Sequence, residues 1–168
     1  MAYNTIDDIL GEISGEILVQ LADDGYTGIT AAMVALAAKG ESLSALTPEE
    51  AVAAVETAAN VGKALVRASA LVDGYCSNLY DVPFASPTDF LRAIDLDIAV
   101  YNLFSRRESV PENRKDRNAN AVKVLQGIAK GDIQMGASAK TAPQQVGQNI
   151  RVSTPSVEIF TPTRLKNY

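Results

Sequence analysis

The sequence predicts an all-α fold: a small helical bundle with one long helix over about 48–79 and an extended C-terminal tail. Three observations predict it. Apolar residues recur at threes and fours through most of residues 1–131, which is the helical period. Capping signals stand before several of these runs. After Gly131 the period is lost, and Pro143, Pro155 and Pro162 stand among Gly, Ser, Thr, Gln and Asn. The chain therefore divides into a helical domain over 1–131 and a tail over 132–168.

The first helix opens at Thr5, with Asp8 placed to complete a capping box. Ile6, Ile9, Leu10 and Ile13 then share one face. Ser14-Gly15 interrupts, Glu16 to Leu21 reads as a second short helix, and Asp23-Asp24-Gly25 is a turn. Thr30 to Ala38 is a short Ala-rich helix that Gly40 stops, and residues 40–46 form a small loop. Thr47-Pro48-Glu49-Glu50 is the clearest start: Thr47 caps, Pro48 takes the first turn, Glu50 closes the box. From there Ala51, Ala54, Ala58, Val61, Leu65, Ala68, Val72, Tyr75 and Leu79 keep the period, giving a rod of roughly 48 Å. Gly62 and Gly74 are its weak points. Small residues dominate its first half, so neighbouring helices can approach closely there.

Ser86-Pro87-Thr88-Asp89 repeats the start signal. The helix after it carries Phe90, Leu91, Ile94, Ile98, Tyr101 and Leu103. Ser109-Val110-Pro111-Glu112 begins another, with Ala121, Val122, Leu125 and Ile128 as its apolar face and Gly131 as its stop. A body of about 130 residues can bury a sizeable core without staples. Apolar residues make up 47% of the 168, yet Trp is absent and aromatics are few, so aliphatic side chains and Ala must fill that core.

Charge and chemistry narrow the function. The net charge is -5, which argues against a free-standing nucleic-acid binder. The acids gather early: residues 1–60 hold ten of them and a single base, Lys39. The tail is mildly basic, with Lys140, Arg151, Arg164 and Lys166 against Asp132 and Glu158. That asymmetry suits a tail meant for another protein's surface. There is no His, which removes the commonest general base and metal ligand. Cys76 has no base beside it in the sequence and reads as a buried structural thiol. Asp95 and Asp97 stand two apart on a helix, so they do not share a face and read as exposed charges or subunit contacts. Gly62-Lys63 is followed by Ala64, where a phosphate loop needs Ser or Thr. The expectation is a non-enzyme with no catalytic residues, no cofactor and no metal.

Two groups of residues are candidates for contact. Arg106, Arg107, Arg114, Lys115 and Arg117, with Lys123 beyond, form a basic cluster interleaved with Glu108, Glu112 and Asp116. It reads as a salt-linked solvated face, or as a surface for a neighbouring subunit or passing DNA backbone. In the tail, Ile150-Arg151-Val152 and Val157-Glu158-Ile159-Phe160 alternate, and Arg164 and Tyr168 follow. Such a segment lacks a core of its own. It is expected to rest on its own domain as a lid or to dock on a partner subunit by strand addition. No apolar run approaches the roughly eighteen residues that span a bilayer. Asp7, Asp8 and Glu12 stand where a secretory leader wants bases. A cytoplasmic product with no membrane partner is expected.

Taken in order, these residues resemble the head-completion, or head–tail joining, proteins of Mu-like and related tailed phages. The resemblance runs through Tyr3, Thr5 and Asp8, then Gln20-Leu21 with Asp23-Asp24, then Asp73-Gly74-Tyr75 with Tyr80 and Pro83. It continues from Pro87 to Leu91 and through Asp97-Ile98-Ala99-Val100-Tyr101-Asn102-Leu103. Arg106-Arg107 and Val110-Pro111-Glu112 follow, and it ends at Leu125 with Ile128-Ala129-Lys130-Gly131. The stretch from about Thr27 to Ala64 is longer than the family pattern, which implies an extended helix or an extra hairpin.

The resemblance implies a helical connector adaptor of the virion neck. Copies would form a homo-oligomeric ring, twelve if they match a dodecameric portal protein. The ring would sit beneath the portal at the head–tail junction, with its C-terminal segment reaching the portal. A downstream stopper or tail protein would bind below, and packaged DNA would pass through the channel, repelled by an acidic or neutral lumen so that it slides. A stopper or tail-side completion protein, or a helical regulatory DNA-binding protein, are the alternatives.

Overall fold

The computed structural model describes residues 1–25 and 27–135, in which six helices follow one another. They are α1 (Ile6–Glu12), α2 (Gly15–Ala22), α3 (Ala31–Lys39), α4 (Pro48–Cys76), α5 (Asp89–Ser105) and α6 (Glu112–Lys130). The all-α architecture read from the sequence is the one observed.

The starts are the expected ones. Thr5 and Asp8 form a capping box, with the Thr5 N–H donating to Asp8 Oδ2 at 2.7 Å. Thr30 Oγ1 accepts from Met33 N–H, and Thr88 Oγ1 from Leu91 N–H. Thr47 Oγ1 accepts from Glu50 N–H at 3.3 Å while Glu50 Oε2 accepts from Thr47 N–H at 2.9 Å. Two stops rest on glycine in the left-handed region, Gly40 at φ 69° and Gly131 at φ 84°, where a Cβ would be strained.

The long helix α4 is the axis of the bundle, about 44 Å long by its residue count. It packs against α3, α5 and α6 and touches α2. It passes through Gly62 and Gly74 without interruption. Its end falls at Cys76 rather than at the predicted Leu79. The Ser77 hydroxyl donates to the Gly74 carbonyl, and the N–H groups of Leu79 and Tyr80 both turn back onto the Cys76 carbonyl. That closes the helix in a turn and buries Tyr80.

The core is mainly aliphatic, as a chain with few aromatics leads one to expect, with Tyr3 and Tyr80 at one end of it against Phe84. Ile9, Leu18, Val34, Leu91, Ile98, Leu103, Leu125 and Ile128 are fully buried, and Ala22, Ala54, Ala68 and Ala99 let the helices close on one another. Of the positions assigned to the α5 apolar face, Phe90 is instead exposed at 47%. It stands one residue before the fully buried Leu91, and so about 100° round the helix, on the outward side. The stretch from Thr27 to Ala64 accounts for α3 and the first half of α4. Ile133 and Met135 fall in the predicted tail, yet both pack on the core, and the Met135 N–H donates to the Tyr80 hydroxyl at 3.4 Å.

Candidate interaction surface

The basic cluster is largely paired inside the chain. Arg106 lies at the end of α5 and reaches the end of α2. There its guanidinium donates to the carbonyls of Leu21 and Ala22 and pairs with Asp24 at 2.7 Å. Arg107 donates to the Asp23 carbonyl at 2.6 Å and pairs with Asp24 at 3.2 Å. Two cations thus cover the negative end of α2, where unpaired helix carbonyls gather.

Arg114 and Arg117, on the first turns of α6, converge on Glu12 at 3.3 and 2.9 Å, and Arg117 also holds Asp97 at 2.6 Å. The Arg117 and Arg114 guanidiniums hold the Glu12 carboxyl below its ordinary pKa, against the opposing effect of its burial. Lys115 pairs with Glu112 on its own helix. The five cationic candidates therefore split into two clamps and one local pair. Any DNA phosphate or acidic partner would have to compete with carboxylates already in place.

A second polar centre joins the chain's first residues to α4 and α5. Asp95 was expected to be an exposed charge or a subunit contact, and it is neither. It is fully buried, because the α5 turn that carries Leu91, Ile94 and Ile98 inward carries Asp95 with it. Its Oδ1 accepts from the Ser69 hydroxyl at 2.9 Å and its Oδ2 from the Asn4 amide at 2.8 Å. Burial pushes its pKa up to about 6, with those two hydrogen bonds opposing the rise.

The backbone around this carboxylate is pinned as well. Tyr3 N–H donates to Ser69 Oγ, and Arg92 Nε donates to the Tyr3 carbonyl. The Tyr3 hydroxyl donates to Asp73 and accepts from the Phe84 N–H at 2.9 Å. Residues that lie about seventy and ninety positions apart in the sequence are thereby gathered at one point. Cys76, on the same stretch of α4, is fully buried, and burial pushes its thiol up to about 11. It is a packed side chain with little thiolate character at neutral pH.

Unforeseen from the sequence, α4 carries a second apolar stripe, turned away from the core. Val52, Val55, Ala59, Gly62 and Val66 recur at intervals of three and four, with Val52 58%, Val55 52% and Val66 49% exposed. The stripe borders a cavity of about 470 Å³ that Ile6, Ala37, Ala58 and Leu65 help to line, with the Lys39–Asp7 ion pair at 2.9 Å beside it. The signal is present in the sequence. The inward set of α4 positions satisfies the helical period by itself and masks the outward set.

Among the described residues, no three His, Cys, Asp or Glu side chains come together as a metal would require, and no helix is long and apolar enough to cross a membrane. The tail residues Ile150, Arg151, Val152, Val157, Ile159, Phe160, Arg164 and Tyr168 lie outside the described residues.

No curated protein matches the sequence. A family model described as bacteriophage Mu, Gp36 matches residues 3–153, from Tyr3 at the polar centre to beyond the last helix. The chain belongs to this family of phage proteins, the bacteriophage Mu Gp36 family.

Proposed function

We propose that this chain is a structural virion protein, a head–tail connector adaptor that forms a ring under the portal and links the DNA-filled head to the tail. The observation that carries the reading is membership of the phage family across most of the chain. The fold supports it in two ways. The two arginine clamps and the Asp95 centre tie the short N-terminal helices to α4, α5 and α6, which gives the rigid body that a ring under tension needs. Among the described residues nothing covers the outward stripe of α4, an apolar surface suited to another molecule. In this reading the role is non-enzymatic, and the tail residues from Ile150 to Tyr168 make the contact with the portal.

The test is direct binding. Purified full-length protein is mixed with portal rings of the same phage and viewed by electron microscopy. An added tier beneath the portal is the expected result, lost in a variant lacking residues 136–168. A portal that stays bare at saturating protein overturns the reading. An added tier that survives the deletion overturns the role given to the tail.

A further inference from the structure

The outward stripe of α4 has the spacing of a coiled-coil seam, and among the described residues no helix lies against it. Val52, Ala59 and Val66 fall at one set of seam positions, and Val55 and Gly62 at the other. The flanks of the seam differ. On one side stand Ala51, Ala58 and Leu65, uncharged, where Leu65 is buried, Ala58 is half-buried against the core, and the Lys39–Asp7 pair neutralises itself. On the other stand Glu49, Glu56 and Lys63, with Arg67 just beyond. The acids occupy the N-terminal half of that flank and the bases the C-terminal half. Among the described residues, Glu49, Glu56, Lys63 and Arg67 make no ion pair within the chain.

This order of charges selects an orientation. In a parallel pair of such helices the charged flank of one faces the uncharged flank of the other, and nothing is gained. In an antiparallel pair like flanks meet. Glu56 of one copy then lies beside Lys63 of the other, and the two-fold axis repeats the contact. The same register sets Val55 against Val66 at each end and Ala59 against Gly62 in the middle, where the absence of bulk lets the backbones approach. Apolar register and charge register agree on one arrangement.

We infer that the free protein forms a two-fold, antiparallel pair through the outer face of α4, its partner being a second copy of this chain. The inference does not rest on the head–tail reading. The contact is isologous, so it saturates itself and adds no third copy. It covers the apolar stripe of the free subunit and would have to open before that face served in a larger assembly. The strip is narrow, well short of a lasting interface, so the pair is reversible, with a dissociation constant of roughly micromolar or weaker.

The test uses the full-length chain in sedimentation velocity over a concentration series. A monomer–dimer equilibrium is expected. Glu56→Lys and Lys63→Glu each turn two attractions into repulsions and weaken the pair about tenfold. The double variant E56K/K63E restores it. Orientation is read by cysteine cross-linking. Positions 55 and 66 are about 16 Å apart along one helix, too far for a bond within a chain. V55C/V66C should therefore oxidise to a covalent dimer, while V55C or V66C alone does not. A chain that is monomeric throughout, a charge swap that fails to restore the pair, or single variants that cross-link as well as the double, each overturn the inference.

Discussion

Replacing Asp95 with Asn removes the one carboxylate among the described residues that is buried completely, and the consequence is a change in how stability depends on pH. In the folded chain Asp95 holds its proton up to about pH 6, against an ordinary value of 3.8. A group whose pKa is raised by folding favours the folded state most below its ordinary pKa. It withdraws that support as the pH climbs through the folded value. The gap is worth about 3 kcal/mol in full, of which about 2 to 3 kcal/mol is lost between pH 4 and pH 7. The carboxyls of Asp8, Glu12 and Glu50 are shifted the other way: their support is full above the usual carboxylate range and is lost as the pH falls through it.

The Asp95→Asn variant has no charge to bury at this position, so it lacks this decline and keeps only the pH dependence that both proteins share. The exchange has its own constant cost. The new side-chain amide can still accept from Ser69, but its nitrogen faces the Asn4 amide, which already donates to the Arg92 carbonyl. Urea unfolding followed by circular dichroism at pH 4, 5, 6 and 7 separates the two effects. The difference between wild type and Asp95→Asn should shift in favour of the variant by about 2 to 3 kcal/mol from pH 4 to pH 7. A difference that stays constant across the series would show that Asp95 is ionised in the fold at no cost, and the argument from burial would fail.

Other perturbations follow from the same contacts. Glu12→Ala strips both arginines of α6 of a shared partner and should cost about 1–2 kcal/mol in urea, since Arg114 is only 14% exposed while Arg117 is 44% exposed and keeps Asp97. Thr47→Ala removes the cap of α4 and should cost about 1 kcal/mol, visible as a lower thermal midpoint. Cys76 should resist a thiol reagent such as dithionitrobenzoate in the native protein and react at once in urea, given its full burial and raised pKa. The wild-type protein should show little affinity for duplex DNA even at low salt, because Arg106, Arg107, Arg114 and Arg117 are paired internally; strong, salt-sensitive binding would contradict that placement.

What the sequence discloses here is what acts over short range. Thr5, Thr30, Thr47 and Thr88 announce helix starts because a cap is made within three residues, and Gly40 and Gly131 announce stops because their conformation is local. The burial of Asp95 was not legible, since its partners Asn4 and Ser69 lie 91 and 26 positions away. The basic cluster was legible as a cluster but not in its use. A guanidinium beside acidic neighbours in sequence gives no sign that Glu12 or Asp24 will reach it across the fold. The residues that carry the family resemblance include several of these contacts. Tyr3 meets Asp73, Tyr80 meets Met135, and Arg106-Arg107 cap α2. Much of the pattern therefore serves to hold the body together.

Particles made without this protein would show whether its place is at the head–tail junction. Cells infected with a phage lacking the gene would be lysed and the particles viewed by negative-stain electron microscopy. DNA-filled or leaking heads beside separate, complete tails are expected. Normal joined virions would contradict that place.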